Sequence, residues 1–139
     1  MSRSQRGFTL VELLIAVTII GLLMAIAYMG FGSAKMKSRD SSRLNDIDTL
    51  QKALNLYLNQ KSTYPVATTE SCLTGADVVS LDLKNAGVVT KEIKDPVYSA
   101  DNSKCYRYSS NETGSSYTLK YYLEGSGAGT QGENVIRQE

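Results

Sequence analysis

The chain has 139 residues and a net charge of +1, with no His and no Trp. That length allows one small domain beyond an anchor segment. The absence of His excludes His-based triads and His metal sites, and the near-neutral balance argues against a strongly basic nucleic-acid binder.

Residues 1–7 carry Arg3 and Arg6 and end in Gly7. An almost purely apolar stretch then runs to Phe31, with Glu12 near its start. Residues 8–31 satisfy the requirement of about 20 apolar residues for a bilayer crossing. An ordinary secretory signal fits poorly, because the run is long and no A-x-A-like site follows it. A lone glutamate in such a segment costs roughly 2–3 kcal/mol on insertion. From position alone two readings stay open: Glu12 snorkels to the membrane boundary, or an opposite charge neutralises it. Orientation is ambiguous too. Arg3 and Arg6 precede the span, while Lys35, Lys37, Arg39 and Arg43 follow it. The positive-inside rule by itself would place the C-terminal part in the cytoplasm.

The residues around Glu12 carry a resemblance. Gly7-Phe8-Thr9-Leu10-Val11-Glu12-Leu13-Leu14 resembles the class III signal of type IV pilins and type II secretion pseudopilins. The match is specific because a glycine, an aromatic, a glutamate at fixed spacing and an apolar run occur together. The resemblance implies cleavage between Gly7 and Phe8 by a prepilin peptidase, which removes residues 1–7 and N-methylates Phe8. It also implies subunit assembly through Phe8 and Glu12, the carboxylate pairing with the Phe8 ammonium. Physics agrees, since opposite charges in low dielectric attract strongly and relieve each other's desolvation. The implied topology reverses the charge count: a single-pass precursor in the inner membrane with its C-terminal domain outside, and a surface filament once assembled. The implied partners are identical subunits, the peptidase, an inner-membrane assembly platform and membrane lipid before assembly. Energy would come from a separate cytoplasmic ATPase, because this chain carries no nucleotide site.

Residues from Phe8 to about Gln60 read as one long helix, roughly 80 Å if continuous. Its first part, 8–31, is apolar on all faces. Gly21, Gly30 and Gly32 would let neighbouring helices approach closely. Many type IV pilins have a proline in this stretch, which this chain lacks. In the second part, 32–61, Leu44, Ile47, Leu50, Leu54, Tyr57 and Leu58 recur at three- and four-residue steps and form one stripe. Lys37, Arg39, Asp40, Arg43, Asp46 and Asp48 are placed mostly on the other faces. Ser62-Thr63-Tyr64-Pro65 ends the helix, because proline biases the preceding residue away from helical angles. The run from Lys35 to Pro65 also looks like small pilins and major pseudopilins.

Residues 62–139 form the globular domain. Positions 76–86 hold a short helix with Leu81 and Leu83 inward and Gly87 as its stop. Asp95-Pro96 opens a turn, as in the major pseudopilins. Residues 105–109 and 117–124 read as strands around an Asn111-Glu112-Thr113-Gly114 turn. In the second strand Tyr117, Leu119, Tyr121 and Leu123 alternate with polar neighbours. Residues 125–132 are a mobile glycine-rich loop, and 134–136 an added edge strand. The strand tyrosines suit packing better than an adhesive face. Asn111-Glu112-Thr113 fits a glycosylation pattern, but a turn explains it better.

Two cysteines, Cys72 and Cys105, in a domain placed outside the membrane suggest one disulfide. It would close a loop of about 33 residues, worth roughly 3–4 kcal/mol. The alternative is two free thiols in a cytosolic domain. Major pseudopilins bind calcium through acidic residues in the C-terminal loop. The matching segment here, 124–129, has no Asp, and Asp95, Asp101 and Glu112 lie elsewhere in the sequence, which argues against that site. No cofactor and no catalytic residue is expected.

The expected fold is therefore α+β, a long N-terminal helix packed on a small antiparallel sheet. The expected function is a structural subunit of a type IV pilus-like filament, for adhesion, motility or surface attachment. A major pseudopilin of a type II secretion system and a competence pilin share the architecture. The absence of a basic stripe argues against direct contact with DNA. A signal-anchored membrane protein that binds a ligand outside is the alternative of another class.

Overall fold

The computed structural model describes residues 7–98, 104–127 and 129–138, with backbone alone at 29 and 30. Helix α1 runs Leu10–Lys61. Strand β1 (Ser71–Cys72) follows, then helix α2 (Val78–Asn85), β2 (Arg107–Ser110), β3 (Tyr117–Leu123) and β4 (Gly132–Gln138). The strands form one antiparallel sheet in the order β1-β2-β3-β4. The α+β expectation is met. The chain divides into two compact units, Met1–Lys35 and Met36–Glu139. Of the leader, residues 1–6 lie outside the described residues, as does Asp101.

Within the first unit, α1 is exposed on every side: Leu10 is 80% exposed, Ile15 51%, Leu22 65% and Phe31 71%. This part is apolar and long enough to cross a membrane by length and composition. A Cβ added at Gly21 or Gly32 would meet no atom within 4 Å.

The second unit is built on the predicted stripe. Ile47, Leu50 and Leu54 are buried, and Leu44, Tyr57 and Leu58 are half-buried. All of these except Leu44 pack with Leu73, Val79, Leu83 and Tyr106 and with the sheet residues Tyr108, Tyr117 and Leu119. The tyrosines at 106, 108 and 117 are core residues, as their strand propensity suggested. The second ring stacks on the third at 5.8 Å between centroids, and Tyr64 meets Tyr117 edge-on at 4.7 Å.

Several boundaries differ from the sequence reading. The first helix begins at Leu10 rather than Phe8, because Thr9 caps it. The second is shorter than 76–86, and its inward pair is Val79 and Leu83, four residues apart. Leu81 is 43% exposed. Asp77 starts it, its carboxylate accepting from the Ser80 amide at 3.0 Å. The Val88 amide closes it on the Leu83 carbonyl at 3.1 Å, beyond Gly87 at φ +71°. The strand expected at 105–109 runs two residues later at its start, the one at 117–124 stops at Leu123, and the edge strand is seven residues long.

The end of α1 is bolted to the β2–β3 turn. Ser62 takes a left-handed φ of 62° just past Lys61. The Tyr64 amide then donates to the Gly114 carbonyl at 2.7 Å. A Cβ on Gly114 would lie 2.6 Å from the Tyr64 carbonyl oxygen, so glycine is required there. Asn111 accepts from the Ser115 amide at 2.9 Å and donates to the Ser115 hydroxyl at 2.7 Å, which commits its side chain to the turn. Cys72 and Cys105 form the disulfide, with Cα atoms 5.6 Å apart, beside the Leu73 amide bond to the Tyr106 carbonyl.

Candidate functional site

The motif at the start of the chain is arranged by one capping interaction. Gly7, Phe8 and Thr9 lie outside the helix. The Thr9 amide and hydroxyl donate to Glu12 Oε2 at 2.9 and 2.8 Å, and the Glu12 amide donates back to Thr9 Oγ1 at 3.3 Å. This is a reciprocal capping box: Thr9 is the N-cap, and Glu12 sits in the first turn where the helix dipole favours an anion. The peptide bond between Gly7 and Phe8 is thereby kept out of the helix, and Phe8 is 89% exposed. This cap is absent from the sequence reading although Thr-x-x-Glu is its readable signal. The cap also gives Glu12 donors within its own chain.

A second polar centre lies in the unit Met36–Glu139. It overturns the placement of Asp40 and Arg43 on outer faces. Arg43 is wholly buried, and Asp40 is 1% exposed. The Arg43 guanidinium donates to Asp95 from Nε at 2.7 Å and Nη2 at 3.2 Å, and to Asp40 from Nη1 at 2.7 Å. Its Nη2 also lies 2.7 Å from Glu124 Oε1. One turn earlier, Arg39 Nε donates to Glu124 Oε1 at 3.0 Å, and a second ion pair joins Arg39 Nη2 to Glu124 Oε2. Asp40 in turn accepts the Glu124 amide at 3.0 Å and the Gly125 amide at 2.8 Å. The entry to the glycine-rich loop is thus tied to α1.

Energetically the cluster works because each buried charge has an opposite charge and a hydrogen bond. Burial opposes the charge on Arg43, but the bonds to Asp95, Glu124 and Asp40 win and raise its pKa above the usual arginine range. The Arg39 bond, with Arg43 behind it, holds the Glu124 carboxyl down to about 2. Burial pushes Asp40 up, yet the two loop amides and Arg43 bring it below the ordinary value. Nearby, Tyr106 donates to Asp46 at 2.9 Å, and burial raises the Asp46 pKa.

The expected site residues therefore fall in two places. Gly7, Phe8 and Glu12 stand together at the start of α1. Cys72 and Cys105 are paired in the sheet unit. Asp95, read as lying away from the C-terminal loop, is linked to Glu124 through Arg43. Glu124, read as the end of a strand, lies just beyond it. The signal for the cluster was present: positions 40 and 43 continue the buried series 47, 50, 54 by the same steps of four and three. Their charge disguised it, because the partners that close the cluster, the Asp95 carboxylate for Arg43 and the Glu124 amide for Asp40, are 52 and 84 positions away. Among the described residues, no group of three or more from His, Cys, Asp and Glu is placed to hold a metal ion.

An exposed apolar helix led by a capped glutamate, followed by a small disulfide-bonded sheet unit, defines a pilin-like α+β protein. Comparison with known proteins agrees. Residues 2–28 match the prokaryotic N-terminal methylation motif. The chain is 36% identical over 73 residues to type II secretion system core protein G of Dickeya chrysanthemi, covering 52% of this chain and 46% of the relative. It is 37% identical over 71 residues to core protein G of Klebsiella michiganensis, covering 51% and 49%. It is 39% identical over 60 residues to the type IV major pilin protein PilA of Myxococcus xanthus, covering 43% and 27%. The chain thus spans about half the length of the secretion relatives it matches. No solved structure matches it. The methylation motif and these relatives, all matching less than two thirds of either protein's length, support kinship with pilins and pseudopilins.

Proposed function

We propose that this protein is a structural subunit of a type IV pilus-like filament. Prepilin peptidase cuts between Gly7 and Phe8 and methylates Phe8. The segment 8–31 stores the precursor in the inner membrane, with the C-terminal unit outside. The same segment then leaves lipid for a homo-polymer, in which Glu12 exchanges its Thr9 cap for the Phe8 ammonium of another subunit. The observation that carries this reading is the methylation motif set on a capped helix with its scissile bond outside the helix. The exposed apolar surface of the first unit supports it, because such a surface needs lipid or other helices around it. An inner-membrane platform assists assembly, and the chain itself has no enzymatic role.

We further propose that the C-terminal loop needs no calcium. The carboxylates of Asp40, Asp95 and Glu124, which a calcium ion would require, are already bonded to Arg43 and Arg39. A role as major pseudopilin of a secretion system is the second reading, favoured by the relatives named type II secretion core protein G.

The deciding experiment is N-terminal peptide mass spectrometry on material sheared from cells. A peptide beginning at N-methylated Phe8 is expected. Chains that keep Met1 and stay in the membrane would favour a signal-anchored ligand-binding protein instead. Substituting Glu12→Ala sharpens the result: polymer is lost while membrane insertion persists.

A further inference from the structure

The outer edge of β4 is open. It is the last strand of the sheet, and among the described residues β3 is its one strand partner; the Gly132 carbonyl at its start also accepts from Asn134 Nδ2 at 3.0 Å. The register with β3 runs unbroken from the Tyr117 and Gln138 pair to the Leu123 and Gly132 pair, so no bulge turns this edge away. It contains no proline. An edge of this length without such protection is a template for another strand.

The charges of β4 are complementary about its centre. Val135 is the middle residue of Gly132–Gln138, with Glu133 two positions before it and Arg137 two positions after. All three are exposed, Val135 by 44%. They oppose Tyr122, Lys120 and Thr118, so they share the sheet face turned away from the core.

We infer that β4 is a self-recognition edge whose partner is the β4 of a second copy of this chain. Antiparallel pairing centred on Val135 sets Glu133 of each copy opposite Arg137 of the other, with Val135 against Val135 between them. Both ion pairs form at once by symmetry. Parallel pairing in register would oppose like charges, and a one-residue slip would remove both pairs, so only one arrangement is satisfied. The result is a sheet continuous through two molecules.

This contact is isologous and closes after two copies, so it does not extend a polymer. It would join one filament to another along their sides. A single such contact is small, but repetition along a filament multiplies it. The lateral role rests on the filament reading; the strand pairing itself does not.

The test uses the full-length chain in mild detergent with its native disulfide intact. Under oxidation, Val135→Cys is expected to give covalent dimers, while Val66→Cys, at a similarly exposed apolar site, is not. In the Val135→Cys background, Glu133→Arg or Arg137→Glu alone turns both ion pairs into like-charge pairs. Each is expected to lower dimer yield roughly tenfold. The two changes together restore opposite charges and should restore the yield. Dimers at Val135→Cys no more abundant than at Val66→Cys, or a double variant no better than the singles, would overturn the proposal. Dimers that persist in a protein never found as filaments would sink the filament reading and leave the pairing intact.

Discussion

The two units of this chain handle charge in opposite ways. In the unit Met1–Lys35, the described helix is apolar and exposed, and its one carboxylate is held by Thr9 alone. In the unit Met36–Glu139, two arginines and three acids are packed together and satisfied by one another. The first unit is complete only with something outside the chain, lipid or other helices. The second is complete within itself. The proposed filament role would use this division, because a part that trades lipid for protein must not carry fixed internal partners.

Breaking the second unit's self-sufficiency gives the largest expected effect. Arg43→Met would leave Asp40 and Asp95 buried without their guanidinium, at about 3–5 kcal/mol. Denaturant unfolding of the full chain in detergent, followed by tyrosine fluorescence, should show a marked drop in midpoint. A change of only a few tenths of a kcal/mol would mean that the buried acids can find water. Reducing the disulfide comes next, at roughly 3–4 kcal/mol from the chain-entropy model. The same unfolding curve with and without reductant measures it, and Cys72→Ser should reproduce the reduced value.

Acid should separate the charges more gradually. The Glu124 pKa is depressed from 4.5 to about 2. Its contribution is therefore full above about pH 5 and is lost as pH falls toward 2. Asp40, also depressed, acts in the same direction, whereas Asp46, raised by burial, gains in acid and opposes them. A net fall in stability below pH 5, flattened in Glu124→Gln, is expected from unfolding measured across that range. The smallest effect lies in the first unit. Thr9→Val removes the cap and costs about 1 kcal/mol. Faster amide exchange confined to the first turn of α1 would show it, with the sheet unit unchanged.

Much of this protein could be read from neighbouring residues. The anchor length, the Gly7-Phe8 junction, the glutamate and the 47–50–54 stripe all depend on spacing within one helix, where period fixes the face. The turn at Asn111 to Gly114 and the stop at Gly87 are local for the same reason. Leu81 was misplaced because two residues apart on a helix lie on nearly opposite faces, so only one of Leu81 and Leu83 can point inward, and Val79, four before Leu83, takes the other inward place. The ionic cluster escaped because a charged residue on a helix is ordinarily a solvent-facing one.

What the sequence determined alone is the periodic and the contiguous: a membrane-length helix, its processing motif, its amphipathic continuation and a short-stranded domain after it. What only the tertiary structure decided is which charges are inside and which strand is last. Arg43 reaches Asp95 across 52 positions, and Asp40 receives the Glu124 amide across 84. Whether such groups meet depends on how the sheet closes over the helix, and burial then turns an ordinary charged residue into a structural one because an unpaired charge cannot stay in low dielectric. The complementary charges of β4 were legible in the sequence throughout. They acquire meaning only because the sheet order leaves that strand at the edge, with its backbone open to another copy.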